Sequence, residues 1–161
     1  MNQWVLLAYR LPREPSRPRL ALWRALRRLG AAQVADGLAA LPLTAETREH
    51  FEWLASAAID DHGEASVWVA QATTRDQDER WRELMSTSVE AEYSALRERA
   101  AAARADGVPD KVRQRRYLRA ELRRVRARDY FNAPGSRHAE AAIEALGNEA
   151  LGNEMEGVPA K

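Results

Sequence analysis

The sequence has no cysteine and only three histidines among its 161 residues. The first absence excludes disulfide staples, thiolate zinc sites, iron–sulfur clusters and cysteine nucleophiles, and the second leaves little material for a metal site. Lysine is almost missing too, occurring only at Lys111 and Lys161, so nearly all the positive charge is arginine. The opening apolar run, residues 4–9, falls far short of the roughly 20 residues that a spanning helix needs. No signal-peptide pattern precedes it, and a cytoplasmic location without membrane contact is expected. A glycine-rich phosphate loop, a nucleophile elbow and an HExxH motif are all lacking. The expectation is therefore a protein that is not an enzyme and has no catalytic residues, cofactor or metal. Asp60-Asp61-His62 is the one cluster with metal-ligand chemistry, and it reads better as the polar end of a helix before Gly63.

What is present is segregated charge. The formal net charge is +1, yet residues 10–28 hold seven arginines against Glu14 alone, and residues 111–128 hold nine basic side chains against Glu121 alone. Residues 60–92 carry nine acids against three arginines. Affinity for polyanions depends on such local patches and not on the total.

The apolar pattern predicts a compact α+β domain. Trp4-Val5-Leu6-Leu7-Ala8-Tyr9 reads as a buried strand closed by Leu11-Pro12. Ser16 before Arg17-Pro18 reads as the cap of a helix over about 17–29, with Leu22, Leu26 and Leu29 on one side and Gly30 at its end. Asp36-Gly37 between residues 31–35 and 38–41 signals a hairpin with both turn positions at positive φ. Thr44 caps a second helix with Phe51, Leu54, Ala55, Ala58 and Ile59 as its apolar face and Gly63 as its left-handed end, and residues 65–72 form a fourth strand. This order is a ferredoxin-like βαββαβ sandwich over 1–75.

From Asp76 the period becomes helical, with Trp81, Leu84, Met85, Val89, Leu96, Ala100 and Ala103 in a stripe that ends at Gly107-Val108-Pro109. A second helix from about Asp110 past Tyr130 makes a long antiparallel helical hairpin, and a short helix over about 138–146 packs on it, completing a region 76–147. A tandem Ala-Leu-Gly-Asn-Glu repeat at 145–149 and 150–154 follows, and 148–161 is expected to be a disordered tail.

Two basic elements are candidate sites. The loop from Tyr9 to Arg19 is stiffened by Pro12, Pro15 and Pro18 and leads into a helix N-terminus, where free N–H groups and arginine forks favour an anion. Arg10, Arg13, Ser16, Arg17 and Arg19 are its candidate ligands for chromate or phosphate, the plain alternative being a solvated loop. The helix carrying Lys111, Arg115, Arg116, Arg119, Arg123 and Arg126 is the candidate nucleic-acid contact, because a merely solvated helix intersperses acids. The competing account pairs its arginines with the acids at Asp76, Asp78, Glu79 and Glu83. Trp23, Trp53, Trp68 and Trp81 read as core or interface anchors before base-stacking platforms.

The stretch Trp4-Val5-Leu6-Leu7-Ala8-Tyr9-Arg10-Leu11-Pro12-Arg13-Glu14-Pro15-Ser16-Arg17-Pro18-Arg19, followed by Trp23-Arg24-Ala25-Leu26-Arg27-Arg28-Leu29-Gly30-Ala31 and Asp36-Gly37, resembles the N-terminal domain of the ChrB family of chromate-resistance regulatory proteins. Ala91-Glu92-Tyr93 and Asp129-Tyr130-Phe131-Asn132-Ala133-Pro134-Gly135 extend the resemblance over residues 3–147. The same pattern is distantly similar to the central domain of PaaX-type repressors and to the small CRISPR-adaptation nucleases. Those nucleases place an acid where this chain has Tyr9-Arg10, which argues against nuclease activity.

The resemblance implies a bacterial, chromate-responsive transcriptional regulator of a chromate-resistance operon, with DNA and chromate or a similar oxyanion as partners and a homodimer left open. The alternative it allows is an oxyanion sensor or accessory chromate-resistance protein that does not touch DNA. Chromate reduction would need a flavin, thiol or metal donor, for which the sequence has no motif.

Overall fold

The computed structural model describes residues 1–105 and 110–155, with only the backbone for 147–155. The chain divides into two compact units, Met1–Met85 and Ser86 onward. That division falls later than the 75/76 boundary read from the sequence.

The first unit is the expected βαββαβ arrangement: β1 (Gln3–Arg10), α1 (Ser16–Leu29), β2 (Ala32–Ala35), β3 (Leu38–Pro42), α2 (Ala45–Asp60) and β4 (Glu64–Gln71). The four strands form one antiparallel sheet in the order β2-β3-β1-β4. β1 is one of the two inner strands, its Val5 and Leu7 fully buried on one face. α2 packs along β1 and β4 and touches α1, so Phe51, Ala55 and Ala58 of one helix and Leu22 and Leu26 of the other close that side. Alternation puts Trp4 on the opposite face, where it meets Trp81 edge to face at 5.2 Å. Its indole N–H donates to Asp78 at 2.8 Å, and Asn2 donates to the same carboxylate through its backbone and side chain. Trp81 and Asp78 lie in α3 (Arg75–Ala105), which is why the start of that helix belongs with the sheet.

Local chemistry departs from the expectation at four places. Ser16 does not cap α1: the cap position is Pro15, whose ring offers no hydrogen-bond acceptor, and Ser16 is the first helical residue. In the hairpin turn only Gly37 has positive φ (74°), and a Cβ there would collide with the Tyr9 carbonyl. At the end of α2 the left-handed residue is His62, not Gly63. Gly63 is required for closeness instead, since a Cβ would come within 2.6 Å of the Arg10 carbonyl and 2.8 Å of that of Ala58. Ile59 and Leu84, read as core, are 54% exposed. Thr44 caps α2 as expected, in a reciprocal capping box with Thr47.

The second unit contains the rest of α3, α4 (Lys111–Arg126) and α5 (Gly135–Met155). Val89, Tyr93, Leu96, Ala100 and Ala103 interlock with Leu118, Leu122 and Val125 and with Ala133, Ala139, Ile143 and Leu146 in a single core. The cross-links run in opposite senses along the first two helices: Arg128 reaches Glu92, while Arg99 reaches Glu121 at 2.5 Å. The antiparallel hairpin is therefore present, with the third helix packed on it. α4 is shorter than expected because the chain turns at Asp129, whose carboxylate accepts the Tyr93 hydroxyl at 3.0 Å and the Ala133 N–H at 3.0 Å. Asn132 takes the left-handed conformation in that turn. Gly135 follows because its N–H donates to Glu90 at 2.9 Å and the carboxylate occupies the place of a Cβ.

α5 is longer than the 138–146 read from the sequence: it runs through the whole repeat and into the region expected as a disordered tail, ending at Met155. Its alanine, leucine, glutamate and methionine are strong helix formers and offset two glycines that cost about 1 kcal/mol each. Residues 156–161 of the expected tail lie outside the described residues.

Candidate nucleic-acid and anion interface

The sides of α4 follow from its apolar seam. Leu118, Leu122 and Val125 turn into the core. With 3.6 residues per turn, one flank next to that seam holds Arg115, Arg119 and Arg126, and α5 meets it with acids at the matching spacing. Glu144 bonds both Arg115 and Arg119, the second at 2.5 Å, and Glu140 takes the Arg126 fork at 2.8 Å. The hydrogen bonds from these arginines hold the Glu144 and Glu140 carboxyls below the usual carboxylate range, and the Glu140 bond raises the Arg126 guanidinium. The other flank faces α3 through Glu121 and Arg128, with Arg99 also lying over the Tyr117 ring at 5.5 Å.

The remaining side, opposite the seam, carries Arg113, Arg116, Arg123 and Arg124. All four are exposed, and none has an ion-pair partner among the described residues. Of the six basic residues read from the sequence, Arg116 and Arg123 thus stand on the outward face, and Arg115, Arg119 and Arg126 are tied to α5. Lys111 sits in the first turn, half-buried. Arg113 and Arg124 were not among the six; their spacing from the leucine seam would have found them.

Two of the four acids proposed as competing partners are used elsewhere. Asp78 is buried under Trp4 and Asn2, and Glu79 pairs with Arg75 one turn earlier in α3 at 3.8 Å. Glu140 and Glu144 of α5 pair with arginines of α4, and Glu92 of α3 pairs with Arg128 just past its end.

The basic loop is less convergent than its sequence implies. Arg10 ends β1 and pairs with Glu64 across the strand pair at 3.4 Å, both side chains largely exposed. Arg13 is exposed in the loop before α1. Arg17 and Arg19 are two positions apart in the first turn of a helix and so leave its axis on different sides. Ser16 and Arg19 do come together, on the wall of an open cleft of about 580 Å³ completed by Tyr9, Leu11, Leu20, Trp23 and Gly37. Trp23 is 51% exposed there and carries the Arg27 guanidinium over its ring at 5.2 Å. Sequence reasoning missed the apolar half of this cleft.

Trp53 and Trp68 are exposed as well, whereas Trp4 and Trp81 are buried. Asp60-Asp61-His62 forms the end of α2 and the turn after it, and no group of three or more metal-ligating side chains occurs among the described residues. No helix among them is long and apolar enough to cross a membrane.

A 32% identity over 87 residues links the chain to Protein ChrB of Cupriavidus metallidurans, covering 54% of this chain and 27% of that protein. The chain thus matches about a quarter of the length of this curated relative. No solved structure matches. The family described as Protein ChrB, N-terminal, matches residues 19–156. That stretch holds both the Tyr93–Asp129 contact of the helical unit and the arginine face of α4, and the chain belongs to the ChrB N-terminal family.

Proposed function

We propose that the chain is the nucleic-acid-contacting part of a chromate-responsive transcriptional regulator. The observation that carries this reading is the row of Arg113, Arg116, Arg123 and Arg124 along the side of α4 opposite its core seam, unopposed by any acid among the described residues. Acids with the same access are spent on the flanking arginines, which fixes α4 on α5 and leaves the outward row for an external anion. Guanidinium forks on one rigid helix suit the phosphates of a duplex, supplying salt-dependent affinity with little sequence information. Sequence reading would come from other parts of the complete regulator. Band-shift assays on promoter DNA over rising salt test this: affinity should fall steeply and linearly in log–log form, and an absence of binding at low salt would overturn it.

A second reading, direct sensing of chromate, is favoured by the Ser16–Arg19 cleft. Tetrahedral oxyanions suit the free amides at the start of α1 together with the Ser16 hydroxyl and the Arg19 guanidinium, the two candidate ligands that share the cleft wall. Calorimetry with chromate, using sulfate as competitor, separates a sensor from a general anion site.

A further inference from the structure

We propose that β4 pairs with β4 of a second copy of this chain, extending the sheet across a two-fold axis. The two edges of the sheet differ in kind. β2 is four residues long, and its pairing with β3 breaks register between Gln33 and Ala35, which blunts that edge. β4 is eight residues long and pairs with β1 residue for residue from Glu64 to Gln71, with no bulge. It has no proline and no lysine, and its single charge, Glu64, is paired with Arg10. None of the devices that keep an edge strand solitary is present.

The backbone of that edge is free to pair. Tyr9 N–H donates to the Gly37 carbonyl and Leu43 N–H to the Gln3 carbonyl, so odd residues of β1 turn towards β3 and even ones towards β4. In β4, Ser66, Trp68 and Ala70 therefore bond to β1. Ala65, Val67, Val69 and Gln71 point their N–H and C=O groups outward, with no backbone partner among the described residues.

Side chains select a second copy as the occupant. In an antiparallel pair centred on Trp68, Val67 of each copy faces Val69 of the other, and Ala65 faces Gln71. These are the outward-pointing residues, so each such pair exchanges both backbone bonds. The two Trp68 rings meet at the axis, flanked by small Ser66 and Ala70. Matched β-branched and aromatic cross-strand pairs are the favoured ones, and no like charges are brought together. Trp68 (61% exposed) and Val69 (54%) are the surfaces such pairing would cover, and the Trp68 indole N–H is already directed along the strand to Ser66 at 2.9 Å. An isologous contact of this kind closes at two copies.

The proposal needs neither DNA nor an oxyanion, so its failure leaves the preceding readings untouched. Sedimentation equilibrium of the full chain at micromolar concentrations should give twice the 18.1 kDa chain mass. Val69→Lys should sediment at the single-chain mass with an unchanged circular dichroism spectrum. Because the chain has no cysteine, Trp68→Cys should oxidise to a covalent dimer, while Ser56→Cys on the exposed side of α2 should not. A monomeric wild type, a folded Val69→Lys dimer, or equal cross-linking of the two cysteine variants would overturn the proposal. If Val69→Lys fails to fold, the cysteine comparison decides alone.

Discussion

Arg115 and Arg119 share one carboxylate, that of Glu144, so two arginines of α4 are held by a single residue of α5. Glu144→Gln should release both. All three side chains are partly exposed, so solvent screening limits the stability loss to about 1 kcal/mol. The freed charge should strengthen low-salt DNA binding. Thermal melts and band shifts on the same preparations check the two effects together.

The same contact makes the helical unit sensitive to acid. The folded-state pKa of Glu144 is depressed by the Arg115 and Arg119 hydrogen bonds. Its stabilisation is therefore present above the unfolded value and is lost as pH falls through the folded one. Unfolding followed by circular dichroism from neutral pH to below the carboxylate range should show the loss, and Glu144→Gln should flatten that part of the curve.

Alkali should act through Tyr93. Burial first, then the hydrogen bond and charge of Asp129, push its hydroxyl up to about 12 from 10.0. A raised folded pKa stabilises fully below the unfolded value and fades as pH climbs through the folded one. The unfolding free energy should thus drop by roughly 2–3 kcal/mol between about pH 10 and 12. Tyr93→Phe should remove that slope while costing about 1 kcal/mol at neutral pH through the lost bond to Asp129. Denaturant titrations at several pH values measure both.

In the sheet unit, Asp78→Ala should cost about 1–3 kcal/mol, because it removes the carboxylate that accepts the buried Trp4 indole N–H. Asp78→Asn, which keeps one acceptor oxygen, should recover part of this. Urea unfolding followed by tryptophan fluorescence provides the comparison.

The fold was legible where one residue type settles the backbone. Gly30 and Thr44 end and begin helices as their chemistry requires, and Asp36-Gly37 marked the hairpin between β2 and β3. What the sequence hid was tertiary. Gly63 looks like a helix-end glycine, yet it serves the close approach of Arg10 and Leu11, strand-end residues far from it in sequence. Asp78 looks like one more surface acid in a charged segment until Trp4 is folded onto it.

The candidate site was half legible for the same reason. Charge counting found the α4 cluster, but the separation of Arg115, Arg119 and Arg126 from Arg116 and Arg123 depends on which helix lies beside which flank. Glu140 and Glu144 are remote in sequence and carry no local signal of their role. The loop 10–19 misled because arginines close in sequence are not thereby convergent, and Arg10 turns to Glu64.

α4 divides into an outward face and a flank held by α5. The measurement that tests it is the salt dependence of promoter-DNA binding for two variants of the full chain, one with Arg113, Arg116, Arg123 and Arg124 changed to Gln, the other with Arg115, Arg119 and Arg126 changed to Gln. The first should stay folded, bind weakly and lose about 0.9 in log–log slope for each phosphate contact removed. The second should lose stability in the helical unit and keep its slope wherever it remains folded. An unchanged affinity and slope in the outward-face variant would show that this arginine row does not contact DNA.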